Sequence, residues 1–305
     1  MAIVKTDVPM TYERCEQTIL ELVKAYPFLR TEVLTETTQG RNLRTLVLGN
    51  GTRKVIYSAA WHANEWITTP ILLKFAEEFA EALKTGGEIY GINPGDLAAK
   101  ATVYLVPMVN PDGVDLVTGA IAPESRAYEN AREITAPFPS IPFPDGWKAN
   151  LNGVDLNLQF PAGWLRAREI KFLQGYNRPA PRDFVGRAPL TQRESKAMAG
   201  YTEYIDPDLL LAYHAQGKEI YWSFMDYNIP GARELGEKFA RVSGYTLTEP
   251  AENSSYAGYK DWFIKIFRKP GYTIEVGSGD NPLPLSQFDE IYRDNLGILV
   301  SAAIG

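Results

Sequence analysis

The only two histidines among the 305 residues each stand at the end of an apolar run, and this placement restricts the fold more than any other feature. His62 follows Val55-Ile56-Tyr57-Ser58-Ala59-Ala60-Trp61 and opens His62-Ala63-Asn64-Glu65, while His214 closes Leu209-Leu210-Leu211-Ala212-Tyr213. Such runs fit buried strands, and open α/β sheets put their chemistry at the carboxyl ends of their strands. Either histidine alone would more often be a satisfied polar residue at a strand end. As a pair they call for a fold that brings two strand ends together.

His62 and Glu65 are three residues apart, so they share one face of a helical turn and can grip one cation while His214 arrives from a distant strand. An isolated His-x-x-Glu arises easily by chance, so the second histidine carries the argument. Two histidines and a glutamate form a zinc donor set, and three protein ligands leave a fourth tetrahedral position open, as catalytic rather than structural sites do. The expectation is one Zn2+ per chain.

The remaining sequence alternates strands and helices. Residues 12–25 read as an amphipathic helix ending before Pro27, residues 43–48 and 54–60 as strands of a hairpin around Asn50-Gly51, and residues 68–84 as a helix capped by Gly86-Gly87. A buried strand follows over 102–109. A helix over 191–205 is expected to use Thr191 as N-cap and Glu194 as its capping-box partner. The strand ending at His214, a helix near 230–243, a strand over 271–276 and a helix from about 285 complete the pattern. The stretch 119–190 is rich in proline, and Pro137-Phe-Pro-Ser-Ile-Pro-Phe-Pro144 cannot sustain a helix or an inner strand, so a long loop forming a groove wall is expected there. The pattern is that of a single α/β domain over residues 1–305, with a mixed sheet between helices.

Composition removes several classes of function. With 45% apolar residues, a net charge of -6 and a pI near 5.2, the chain has a large core and no basic footprint for nucleic acid or an anionic membrane. No stretch approaches the ~18 apolar residues of a membrane span. The first nine residues hold too short an apolar patch for a signal peptide, which gives a cytoplasmic location as the expectation. Cys15, the one cysteine, permits no internal disulfide and reads as a small buried residue of the first helix.

The residues around these positions form a longer set: His62-x-x-Glu65, Asn110-Pro-Asp-Gly113, Gly153-Val-Asp-Leu-Asn157, His214, Asp261-Trp262 and Tyr272-Thr-Ile-Glu275-Val276, preceded by Gln39-Gly40-Arg41. Through these blocks the chain resembles the zinc metallocarboxypeptidases. The resemblance implies a mixed, mostly eight-stranded sheet flanked by helices on both faces, with His62, Glu65 and His214 as zinc ligands. It also implies Glu275 as general base: apolar neighbours raise its pKa, a nearby cation favours its ionised form, and it can take a proton from an attacking water and pass it to the leaving amine. The alternative for Glu275 is a strand-end carboxylate paired to Arg268.

Departures from the family pattern bear on substrate. Where the family carries Asn-Arg, with the arginine holding a C-terminal carboxylate, this chain has Asn157-Leu158; Asn157 is retained as a substrate contact, and Leu158 cannot bind a carboxylate. Trp147-Lys148 replaces a frequent Trp-Arg, which makes Lys148 the candidate partner of the oxyanion as a point charge. Tyr256 resembles the family's mobile tyrosine over bound substrate. Gly153-Val-Asp-Leu-Asn-Leu-Gln-Phe-Pro161, Tyr213-His-Ala-Gln-Gly217 and Glu219-Ile-Tyr-Trp222 look most like the bacterial γ-D-glutamyl-L-diamino acid endopeptidases, which implies a peptidoglycan stem peptide or muropeptide as substrate. Gln216 and Tyr221 are the first candidates for polar contacts to it, with Arg166, Arg168 and Lys218 as further cations. The rival readings are a conventional carboxypeptidase, a zinc deacylase of N-acyl amino acids and a binding protein without activity.

Overall fold

A computed structural model describes residues 2–305, apart from the side chain of Asn253. Nine strands are described: β1 (Val33–Glu36), β2 (Asn42–Arg44), β3 (Leu46–Leu48), β4 (Arg53–Ser58), β5 (Ala101–Val106), β6 (Leu209–His214), β7 (Glu219–Tyr221), β8 (Thr246–Thr248) and β9 (Gly271–Glu275). β1 and β2 form a separate antiparallel pair, and the other strands make one mixed sheet in the order β3-β5-β4-β6-β9-β7-β8. The four central strands β5, β4, β6 and β9 are parallel, and β3 and β7 run against them. The main sheet thus has seven strands and not the eight expected, because β1 and β2 pair only with each other.

Helices cover both faces, so the inner strands alternate between two cores instead of between core and water. Leu209, Leu211 and Tyr213 of β6 face the cluster that holds Leu22, Phe75, Phe79 and Leu299, whereas Leu210 and Ala212 face Met198, Trp262 and Phe263. Each large apolar side chain buried in this way contributes roughly 1.5–3 kcal/mol. The helix Thr68–Thr85 presents Ile71, Leu72, Phe75 and Phe79 to the first cluster and ends at Gly86, whose φ of 74° closes it. Cys15 is buried on the helix Tyr12–Ala25, as expected.

Three local expectations are corrected. Asn50-Gly51 does not close a hairpin, since β5 lies between β3 and β4 and pairs with both. The glycine instead lets the chain cross the start of β5: a Cβ on Gly51 would lie 2.0 Å from the Lys100 carbonyl carbon. The stretch 119–190 is not one loop, for it contains the helices Arg126–Thr135 and Trp164–Leu173, the first capped by Ser125. Finally, the helix at 193 begins after Gln192 without a side-chain cap, because both the backbone N–H and the hydroxyl of Thr191 donate to Gln159 Oε1. Glu194 is buried, and burial pushes its carboxyl up to about 7.

Candidate active site

β4 leaves the sheet at Ser58, and the next four residues carry His62 over the strand ends. Ala59 N–H still donates to Val106 O at 3.0 Å, Trp61 is fully buried against Phe160 and Tyr259, and Ala63–Glu65 form one 3-10 turn. Asn110 fixes this crossing. Its side-chain amide donates to the carbonyls of Trp61, Lys148 and Ala149 at 3.3, 3.2 and 3.0 Å, while its Oδ1 accepts from Gly113 N–H and caps the helix Pro111–Val117. β6 and β9 need no such device, because His214 and Glu275 are register partners at the ends of adjacent parallel strands.

The three expected metal ligands are brought together. His62 Nδ1 lies 2.9 Å from Glu65 Oε1, His214 Nδ1 lies 2.9 Å from Glu65 Oε2, and the two Nδ1 atoms are 3.2 Å apart. Ligand bonds of about 2.0–2.1 Å in a tetrahedron require donor atoms about 3.3 Å apart, so the group could hold a zinc ion with small adjustments. On its other side His62 Nε2 lies 3.1 Å from Asp155 Oδ1, the carboxylate support that orients a ligating histidine. Among the described residues His214 Nε2 has no comparable partner.

The electrostatics are those of a carboxylate-rich centre. Burial opposes charge on His62, yet the carboxylates of Glu65 and Asp155 lift it to about 9. Burial likewise works against ionisation of Glu65, but the charges of His62 and Lys148 hold it well below the usual carboxylate range. Glu275 is pushed up to about 8, first by burial and then by the Glu65 charge, against the pull of Lys148 and His62. A divalent cation beside these groups favours ionised Glu275 and neutral ligating histidines. Arg268 is not a partner of Glu275; it stacks over the Tyr227 ring at 4.0 Å.

Lys148 Nζ donates to Glu65 Oε1 at 2.9 Å, and it lines the cleft with Glu275. That cleft also takes in Asn157, Leu158, Tyr221 and Tyr256. Asn157 Oδ1 accepts from Tyr259 N–H at 3.1 Å, and Leu158, like Tyr256, packs against the buried cluster of Trp164, Ala167, Val185 and Ala257. Gly163 makes room for the tyrosine, since a Cβ there would meet Tyr256 Cδ1 at 2.7 Å. Gln216 lies in an adjoining cavity, which Tyr221 also lines. The cations expected as carboxylate partners stand elsewhere: Arg166 pairs with Glu169, Arg168 stacks on Phe172 and Lys218 pairs with Glu290. Lys171, Arg182 and Lys260 line the cleft instead. Nothing in their spacing announced this, and Asp155 was visible only as a motif member without a role.

Residues 15–297 match the family model described as zinc carboxypeptidase. The chain belongs to the zinc carboxypeptidase family. It is therefore a metallopeptidase, and zinc is its cofactor. Gamma-D-glutamyl-L-diamino acid endopeptidase 1 of Lysinibacillus sphaericus is 45% identical over 291 residues, which cover 95% of this chain and 71% of that relative. The uncharacterized protein YqgT of Bacillus subtilis (strain 168) is 38% identical over 286 residues, covering 93% and 74% respectively. Among solved structures, carboxypeptidase A from Helicoverpa armigera superimposes with a TM-score of 0.70 at 19% identity, covering 98% of this chain and 75% of that one, a likeness of fold. Among the described residues no helix is long and apolar enough to cross a membrane.

Proposed function

We propose that this zinc peptidase cuts the amide between γ-D-glutamate and a diamino acid such as meso-diaminopimelate in peptidoglycan stem peptides, with residues 1–305 forming its catalytic domain. The observation that carries the reading is the mixed charge of the cleft around Leu158. Where a carboxypeptidase needs a cation for a C-terminal carboxylate there is an apolar side chain, packed against the cluster that holds Trp164 and Val185. Deeper in the cleft, Lys260 Nζ lies 2.6 Å from Asp261 Oδ1, a cation and an anion side by side. The far end of meso-diaminopimelate carries an ammonium and a carboxylate on one carbon, and such a pair complements it where an apolar specificity pocket would not. The 45% identical relative, whose name gives that activity, supports the same substrate.

In this reading His62, Glu65 and His214 hold the zinc, which when bound acts as a Lewis acid and makes water a better nucleophile at neutral pH. Glu275 takes a proton from the attacking water and delivers it to the leaving amine nitrogen, so that water adds across the broken C–N bond. Lys148, with donors beyond the one given to Glu65, faces the oxygen on which negative charge develops. Asp155 holds His62 in the tautomer that leaves Nδ1 free for the metal. Asn157, Tyr221 and Tyr256 flank the leaving residue, and Gln216 contacts the acyl side. Metal analysis of protein purified without chelator should give about one zinc per chain. Folded protein that neither contains zinc nor takes it up would remove the reading.

A further inference from the structure

The two cavities meet at four residues that line both, Lys148, Arg182, Tyr221 and Glu275. Three of them have roles in the reading above, and Arg182 has none. Its position is tightly determined. The carbonyl of the preceding Pro181 accepts from both Lys148 N–H and Ala149 N–H at 2.8 Å, which sets Arg182 beside the lysine. On either side of it, Ala180 N–H donates to Gly153 O at 3.0 Å and Asp155 N–H donates to Phe184 O at 2.9 Å, so the segment is laced into the Gly153–Asp155 motif.

The side chain is prepared for an anion. Asp183 Oδ2 takes Nε at 2.6 Å and fixes the guanidinium plane, and among the described residues no protein group takes the terminal nitrogens. Asp183 also pairs with Lys171 Nζ at 2.6 Å, so this carboxylate is shared between two cations. Arg182 and Lys148 repel each other, a cost that an arriving carboxylate would relieve. The cavity past Gln216 has Lys148 and Arg182 as its only cations among the described residues, and Lys148 is engaged by Glu65. A carboxylate on the acyl side of the cut therefore has one partner available, with the planar fork suited to it.

We propose that Arg182 binds the free α-carboxylate of the γ-linked glutamyl residue, and that the enzyme thereby selects a γ-glutamyl acid over its α-carboxamide. The inference rests on the function proposed above. A γ-linkage uses the side-chain carboxyl and leaves the α-carboxylate free a few carbons from the scissile carbonyl, whereas an ordinary α-linked residue without an acidic side chain has no anion there. Leu158 removes the family's arginine from the leaving side, and Arg182 supplies a guanidinium on the acyl side.

The test compares L-Ala-γ-D-Glu-meso-diaminopimelate with the same peptide carrying an α-carboxamide on the glutamyl unit, using wild type, Arg182→Gln and Arg182→Lys. The wild type should prefer the acid by on the order of 100-fold in kcat/KM. Arg182→Gln should lose most activity on the acid and little on the amide, so that the preference collapses, and Arg182→Lys should keep part of it. Lys171 remains to neutralise Asp183, and zinc content and Tm should stay at wild-type values. Equal losses on both peptides would reduce Arg182 to a structural residue, and a wild type indifferent to amidation would overturn the assignment while leaving the endopeptidase reading intact. Cleavage of neither peptide, with release of C-terminal residues from ordinary peptides, would remove both.

Discussion

The reactive centre and the groove wall are built in different ways. His214 and Glu275 sit on the ends of neighbouring strands, and His62 and Glu65 on one turn beyond a third, so their positions follow from the sheet itself. Lys148, Asp155, Leu158 and Arg182 come from the 140–190 stretch, which has no strand and is held by bonds such as those to the Pro181 carbonyl. Two side-chain contacts tie the wall directly to the ligand residues, Asp155 on His62 and Lys148 on Glu65. The reactive centre is thus anchored in the sheet, while the residues proposed to select substrate sit on an excursion that carries no strand and packs on the sheet through Leu156 and Phe160.

If that division is right, substitutions in the centre should abolish turnover, those at the contacts should shift metal or rate, and those in the wall should shift choice. The largest effect is expected for Glu275→Gln, which keeps the zinc but cannot accept a proton. Its kcat should fall by ~100-fold to 10,000-fold with unchanged metal content. A variant with wild-type kcat would move the base to another residue.

Lys148→Ala should follow, with kcat reduced by roughly 100-fold to 1,000-fold and KM little changed, as for loss of one oxyanion donor. A rise in KM alone would instead make Lys148 a ground-state contact. Asp155→Asn should weaken zinc binding by about 10-fold to 100-fold in a chelator competition, since His62 would lose its anionic support. Unchanged affinity would detach the wall from the metal. The smallest effect belongs to Leu158→Arg, which puts a charge among Trp164, Val185 and Tyr256. The variant should gain no activity on γ-D-glutamyl peptides and lose about 1 kcal/mol of stability in a denaturant titration. Improved cleavage would show that the wall had lacked a cation after all.

The same division marks what the sequence made legible. Strand-end histidines and helices with regular apolar spacing are local signals, so the histidine pair and most elements could be read directly, whereas the role expected of Glu275 came from the family resemblance. The hairpin at Asn50-Gly51 was misread because turn chemistry is local, while the insertion of β5 between β3 and β4 is not. Thr191 looks like an N-cap in sequence, but a buried glutamine 32 residues away takes its donors. Arg182 carries no periodicity, and only the folded wall turns it toward the cleft. A charged residue in a proline-rich stretch is ordinarily solvated, so its sequence neighbours could not mark it.

The central claim is that a zinc peptidase frame has been turned from C-terminal residues to γ-D-glutamyl-diamino acid bonds. The most direct test is kcat/KM of the wild type on L-Ala-γ-D-Glu-meso-diaminopimelate against a hippuryl amino acid and an acyl amino acid, at one zinc concentration. Cleavage after the γ-D-glutamyl unit is expected, with a preference of at least about 100-fold. Efficient release of ordinary C-terminal residues, with no cut after γ-D-glutamate, would contradict it.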